Sequence, residues 1–138
     1  MAALSVSRGR RRSLSLLVAC ACVLALAVPG TAVAMLSRFG DQPMAIGPDG
    51  RSLLTEGPVD WEPGETTAIF FVVVRQGRVI ATGVRQQQPP SATWAVSTRV
   101  RGAGHLVPGP ARGFGTAVVF QADGSLTTRV WSGPITLR

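Results

Sequence analysis

The most apolar stretch of the chain outside its N-terminus runs from Thr66 to Arg85 and reads TTAIFFVVVR-QG-RVIATGVR. Two runs rich in β-branched and aromatic residues flank the Gln-Gly pair at positions 76 and 77, which is typical of a β-hairpin with a two-residue loop. That loop would pair Arg75 with Arg78. Both faces of the hairpin are apolar, whereas an antiparallel sheet with one wet face normally alternates. We therefore expect the hairpin to be the centre of a β-core, with both of its faces covered.

Counting outward from the loop assigns alternate hairpin residues to one face, and we take this face as the main core face. Two tryptophans and a valine on later strands complete the predicted core. Its members are Ile69, Phe71, Val73, Ile80, Trp94, Val119 and Trp131.

The remaining strands are short and separated by glycine and proline. Residues 91–100 alternate cleanly, and a second hairpin is predicted over residues 116–132. Between them, the glycine-rich residues 102–115 are expected to form a long mobile loop. No amphipathic helical pattern follows residue 34. Seven or eight short strands in about 100 residues favour a single all-β antiparallel β-sandwich, and a small barrel is the alternative.

The segment Trp61-Glu-Pro-Gly-Glu65, with the run that continues to Val74, resembles bacterial extracellular immunoglobulin-like modules. In those modules a Pro-Gly-Glu turn often leads into an alternating strand. The resemblance implies an immunoglobulin-like sandwich with an adhesive, spacer or accessory role, and it carries over no functional residue. The chain departs from antibody-type domains because it has no tyrosine, and both of its cysteines precede residue 23.

Residues 1–34 have the pattern of a secretory signal peptide. A cluster of arginines precedes an apolar run from Leu14 to Val28, which is shorter than the ~20 residues that span a bilayer. A small-x-small motif then predicts cleavage between Ala34 and Met35. The domain would comprise residues 35–138, with residues 35–50 as a loosely ordered leader.

Three alternatives concern the same N-terminal region. Without cleavage, residues 14–36 would anchor the chain and place the domain outside the membrane. Arg11-Arg12 partly matches a twin-arginine export signal, and Cys20 follows a sequence that resembles a lipid-attachment motif. We expect a secreted or envelope-associated bacterial protein, with lipidation at Cys20 the least favoured alternative.

The composition of the exported part excludes several classes of partner and of chemistry. Four of the 14 basic residues lie before residue 13, which leaves ten against 7 acidic residues, so the remaining charge is only about +3. We therefore expect no nucleic-acid partner. Neither cysteine lies beyond residue 22, so no thiolate chemistry is available there. With His105 as its one histidine, the sequence is a poor fit to a metal site or a serine hydrolase, and copper binding by His105 with Met44 is the remaining metal alternative. We predict no cofactor and no metal.

The leading interpretation is a non-enzymatic binding or accessory protein whose partner is another protein, a glycan or a cell-wall polymer. An oligomer or partner interface on the apolar hairpin, residues 68–81, is one alternative, and sugar stacking on an exposed Trp61 is another. A hydrolase built on Asp60, Glu62 and His105 is the remaining enzyme alternative. The candidate contact residues are Trp61, Arg99, Arg101, His105 and Arg112.

Overall fold

A computed structural model describes residues 37–138, which form six strands and no helix. The signal peptide, its cleavage at Ala34 and Met35, the anchor over residues 14–36 and Cys20 lie outside the described residues. The strands are β1 (Ser52–Pro58), β2 (Glu65–Gln76), β3 (Val79–Gln87), β4 (Thr93–Arg101), β5 (Gly109–Gln121) and β6 (Leu126–Leu137). They form one curled antiparallel sheet in the order β1-β4-β3-β2-β5-β6. The all-β prediction is confirmed, whereas the immunoglobulin-like sandwich stays a prediction.

The central hairpin is β2–β3, but its loop lies one residue later than expected. Gln76 pairs with Val79, so the two loop residues are Gly77 and Arg78, and Arg75 pairs with Ile80. Gly77 has a φ of 60° at the first loop position, which is the place where a type II′ turn requires glycine. The predicted pairing of Arg75 with Arg78 is therefore wrong by two residues. A shift of two leaves the same residues grouped together on each face.

The faces of the hairpin are the reverse of the assignment made from sequence. The buried face of β2 carries Ala68, Phe70, Val72 and Val74, and these side chains are almost inaccessible to solvent. The four hairpin residues predicted for the core lie instead on the outer face, where three are half-buried and the fourth is exposed. They are Ile69, Phe71, Val73 and Ile80.

The physical reason lies in the neighbouring strand. On β5 the inward positions beside the hairpin are small, and a side-chain carbon added at Gly113 or Gly115 would overlap the ring of Phe39 or Trp131 respectively. The aromatic rings fit only on this side of the sheet. Trp94, Val119 and Trp131 are buried there, as predicted.

The interior is built around four aromatic rings that meet across the curl of the sheet. Trp94 on β4 and Trp131 on β6 lie with ring centroids 5.4 Å apart, although three strands separate β4 from β6 in the sheet. Phe70 stacks on Trp94 at 6.0 Å, and Phe39 contacts Trp94 edge-on at 5.4 Å. The sheet therefore folds back far enough for its inner face to pack against itself.

The segment that precedes β1 joins the two edge strands of the sheet. Met44 donates its main-chain N–H to Thr136 on β6 at 2.8 Å, and Gly47 donates to Ser52 on β1 at 2.8 Å. Phe39 and Met44 are buried in the core. Residues 37–50 are thus part of the packed fold, and the expectation of a loosely ordered leader is corrected for them. Their apolar side chains fill the gap between β1 and β6.

Candidate functional site

Trp61 is half-buried at the edge of the core, in agreement with the expectation that it would be partly exposed. Its ring meets Phe70 edge-on with centroids 6.4 Å apart, and its indole N–H donates to the carbonyl oxygen of Ser91 at 2.7 Å. The polar atom of the side chain is therefore already used inside the protein. Only the solvent-facing part of the ring remains for stacking on a sugar.

The glycine-rich loop is shorter and better anchored than expected. Residues 109–115 belong to β5, so only residues 102–108 remain as a connection. The Arg51 guanidinium donates to the carbonyl oxygens of Gly102 at 2.7 Å and Gly104 at 2.9 Å. The side-chain amide of Gln76 both donates to and accepts from the main chain of Val107. These contacts replace the prediction of a long mobile loop.

His105 lies exposed in this loop, and its ring packs beside Gly50. Among residues 37–138, no group of three or more His, Cys, Asp or Glu side chains could hold a metal ion. The pairing of His105 with Met44 is not formed as a surface site, because Met44 is buried in the core.

Asp60 and Glu62, the carboxylates of the enzyme alternative, are both exposed. Two other acidic residues, Glu65 and Asp123, have structural partners. Glu65 is buried and forms an ion pair with Arg129, and its second oxygen accepts the main-chain N–H of Glu62 at 2.9 Å. A bulge between β2 and β5 at Thr66 accompanies this turn. Asp123 accepts hydrogen bonds from the hydroxyl and from the main-chain N–H of Ser125. These bonds lower the pKa of the Asp123 carboxyl, the hydroxyl having the larger effect. Glu65 serves packing and Asp123 serves the β5–β6 turn.

The outer face of the sheet carries a continuous group of apolar side chains, which we call the apolar band. Adjacent strands place its members side by side, since Phe71 pairs with Val84 on β3 and Ile69 pairs with Val118 on β5. Val84 remains 59% exposed and Leu126 57% exposed. The band consists of Ile69, Phe71, Val73, Val84, Phe114, Val118, Phe120, Leu126 and Val130.

A second feature, the arginine row, crosses the same face at the end nearest the β2–β3 loop. Arg112 on β5 pairs with Arg75 on β2, Arg75 pairs with Ile80 on β3, and Ile80 pairs with Arg101 on β4. We define the row as Arg75, Arg101 and Arg112. All three side chains are exposed.

The structure brings two of the predicted arginines, Arg101 and Arg112, into this row and adds Arg75 to them. Arg99 lies two residues before Arg101 on β4 and forms an ion pair with Asp49 at 3.5 Å. The sequence indicates Arg75 only as a charge at the end of an apolar strand. Its role in the row depends on β2 pairing with β5, which the sequence alone does not reveal.

No protein-family model and no curated protein matches this chain. Within residues 37–138 there is also no helix long and apolar enough to cross a membrane.

Proposed function

We propose that this chain is an exported, non-enzymatic β protein of the cell envelope or exterior that acts by binding. The observation that carries the proposal is the apolar band. Export rests on the pattern of residues 1–34. The non-enzymatic part rests on the sequence, which offers one histidine and no thiol beyond residue 22. The structural partners of Glu65 and Asp123 also support it. The sandwich form of the fold belongs to the same proposal, and the contact of Trp94 with Trp131 across the interior supports it.

The size of the band is suitable for a reversible contact. Three to four strands about 4.8 Å apart and a rise of about 3.3 Å per residue give roughly 400 Å² of outer surface. Patches of this size on a monomer are often functional. A contact between two copies would bury this area on both, or about 800 Å² in total. Stable interfaces bury about 1,200–2,000 Å², so the expected complex is weak rather than permanent.

The partner proposed for the band is a second copy of the chain, because the surface is apolar across several strands and a two-fold contact needs only one such patch. Light scattering at tens of micromolar should show a mass that increases with concentration. Replacing both Val84 and Val130 with serine should reduce this association. The matched control is Leu54→Ser, since Leu54 is 49% exposed on the outer face of β1 but outside the band.

A mass that stays monomeric throughout, with no effect of the band variant, would rule out the second copy. Turnover by the purified chain on a broad hydrolase panel would instead overturn the non-enzymatic part. The two results are independent, because association and catalysis are measured separately.

A further inference from the structure

The arginine row places three like charges on neighbouring strands. Arg75 and Arg112 are direct cross-strand neighbours, and Arg101 lies two strands from Arg75. Because strands are about 4.8 Å apart, the three backbone positions span roughly 14 Å in a line across the sheet. Like charges that face each other across a strand pair destabilise a sheet. Nothing in the packing of the core requires arginine at these exposed positions.

Acidic side chains do not compensate the row. The ion pairs among residues 37–138 involve Arg38, Arg99 and Arg129, and none of these belongs to the row. Arg75 donates through Nε to the carbonyl oxygen of Gly77 at 3.1 Å.

The other two arginines are oriented by uncharged neighbours. Arg101 donates through Nε to the hydroxyl of Thr82 at 2.7 Å, and the Arg112 guanidinium lies 5.7 Å from the ring centroid of Phe114. These contacts involve the Nε or Cζ atoms, and no hydrogen bond within residues 37–138 uses an Nη atom of the row. The row is therefore a set of partly oriented cations without anions.

We propose that the arginine row binds a linear polyanion that carries phosphate groups and is not a nucleic acid. A guanidinium offers a planar pair of N–H donors that matches two phosphate oxygens, and this geometry is lost with a point charge such as lysine. Charges spaced in a line across strands fit successive groups of one polymer better than a single small anion. The curl of the sheet makes its outer face convex, so a flexible chain can follow the row where a flat bilayer would touch only part of it. This site is separate from the apolar band and goes beyond the function proposed for it.

The test uses the full chain and labelled long-chain polyphosphate, with binding followed by fluorescence anisotropy at several salt concentrations. The double variant Arg75→Gln with Arg112→Gln should weaken binding at least tenfold. The slope of log K against log salt should fall by about two, since each phosphate contact contributes about one. The control is Arg38→Gln with Arg85→Gln, which removes the same charge from exposed positions outside the row. It should change affinity less than threefold.

Four outcomes would overturn the proposal. Equal weakening by both double variants would mean that net charge alone attracts the polymer. No binding of polyphosphate at low salt would remove the site. Equally tight binding of polyglutamate would show that phosphate is not recognised. Tighter binding to vesicles of phosphatidylcholine with 30% phosphatidylglycerol would assign the row to a membrane surface. Circular dichroism of each variant confirms that it remains folded, which exposed arginines should permit.

Discussion

Replacing Phe70 with alanine should remove a large part of the stability of the fold. Phe70 is 1% exposed and touches three tryptophans, with ring centroids 6.0 Å from Trp94, 6.1 Å from Trp131 and 6.4 Å from Trp61. A buried Phe→Ala substitution typically costs about 3–5 kcal/mol, because it leaves a cavity as well as lost transfer energy. A domain of this size has about 5–15 kcal/mol in total. The midpoint of thermal unfolding should fall by roughly 12–40 °C.

The adjacent Phe71 provides the matched control, since it has the same side chain on the opposite face. It is half-buried in the apolar band, so Phe71→Ala should cost only about 1 kcal/mol, or roughly 4–8 °C. The sequence pattern alone assigns the large effect to Phe71. The structure reverses that order.

Urea and thermal unfolding, followed by tryptophan fluorescence and near-ultraviolet circular dichroism, measure both variants. The protein concentration should be low enough to keep the chain monomeric, so that loss of association does not add to the Phe71 result. Phe70→Ala should also change the tryptophan emission, because three indoles surround the removed ring. A loss for Phe71→Ala as large as that for Phe70→Ala would refute the assignment of the inner face.

Three further outcomes follow from the packing and the charges. Gly115→Ala should cost about 2 kcal/mol or more, since the added carbon overlaps a buried indole, whereas Gly133→Ala has open space and should change the unfolding midpoint by no more than a few degrees. Glu65→Gln should lower the free energy of unfolding in urea by about 3–5 kcal/mol, because it leaves the charge of Arg129 buried without its partner. A smaller loss in the double variant with leucine at positions 65 and 129 would identify the unpaired charge as the cause. The lowered pKa of Asp123 means that its contribution is present above the ordinary value of 3.8 and is lost as pH falls through the folded-state pKa, so Asp123→Ala should flatten the acid limb of a plot of melting temperature against pH.

The secondary structure of the chain is easier to predict than the choice of inner face. Alternation across Trp94 to Val100 correctly identifies β4, because only one of its faces is apolar. The central hairpin offers no such contrast, since Phe70 and Phe71 are equally apolar and lie on opposite faces. Which face of the hairpin is buried depends on the small residues of β5, a strand that is distant in sequence. A pattern read along one strand contains no information about the size of its neighbour's side chains.

The glycines of β5 also show how much a sequence pattern leaves undetermined. Gly113 and Gly115 lack the full pattern of a phosphate-binding loop, and the structure gives them a different purpose, which is room for aromatic rings. A glycine at every second position of a strand is a usable signal for such packing, although it does not identify the ring. The arginine row is likewise a product of strand order. Arg75 and Arg112 become neighbours only because β2 pairs with β5.

The main-chain hydrogen bonds between residues 44–46 and the end of β6 have a consequence for folding kinetics. Arg138 reaches the carbonyl oxygen of Pro43 across a sequence separation of 95 positions. Closing a loop of that length costs about 4 kcal/mol of chain entropy before any contact compensates for it. Topologies dominated by such distant pairings fold in milliseconds to seconds rather than microseconds. A growing chain that lacks β6 has nothing to which Met44 can attach, so this fold is completed only after its last strand has been synthesised.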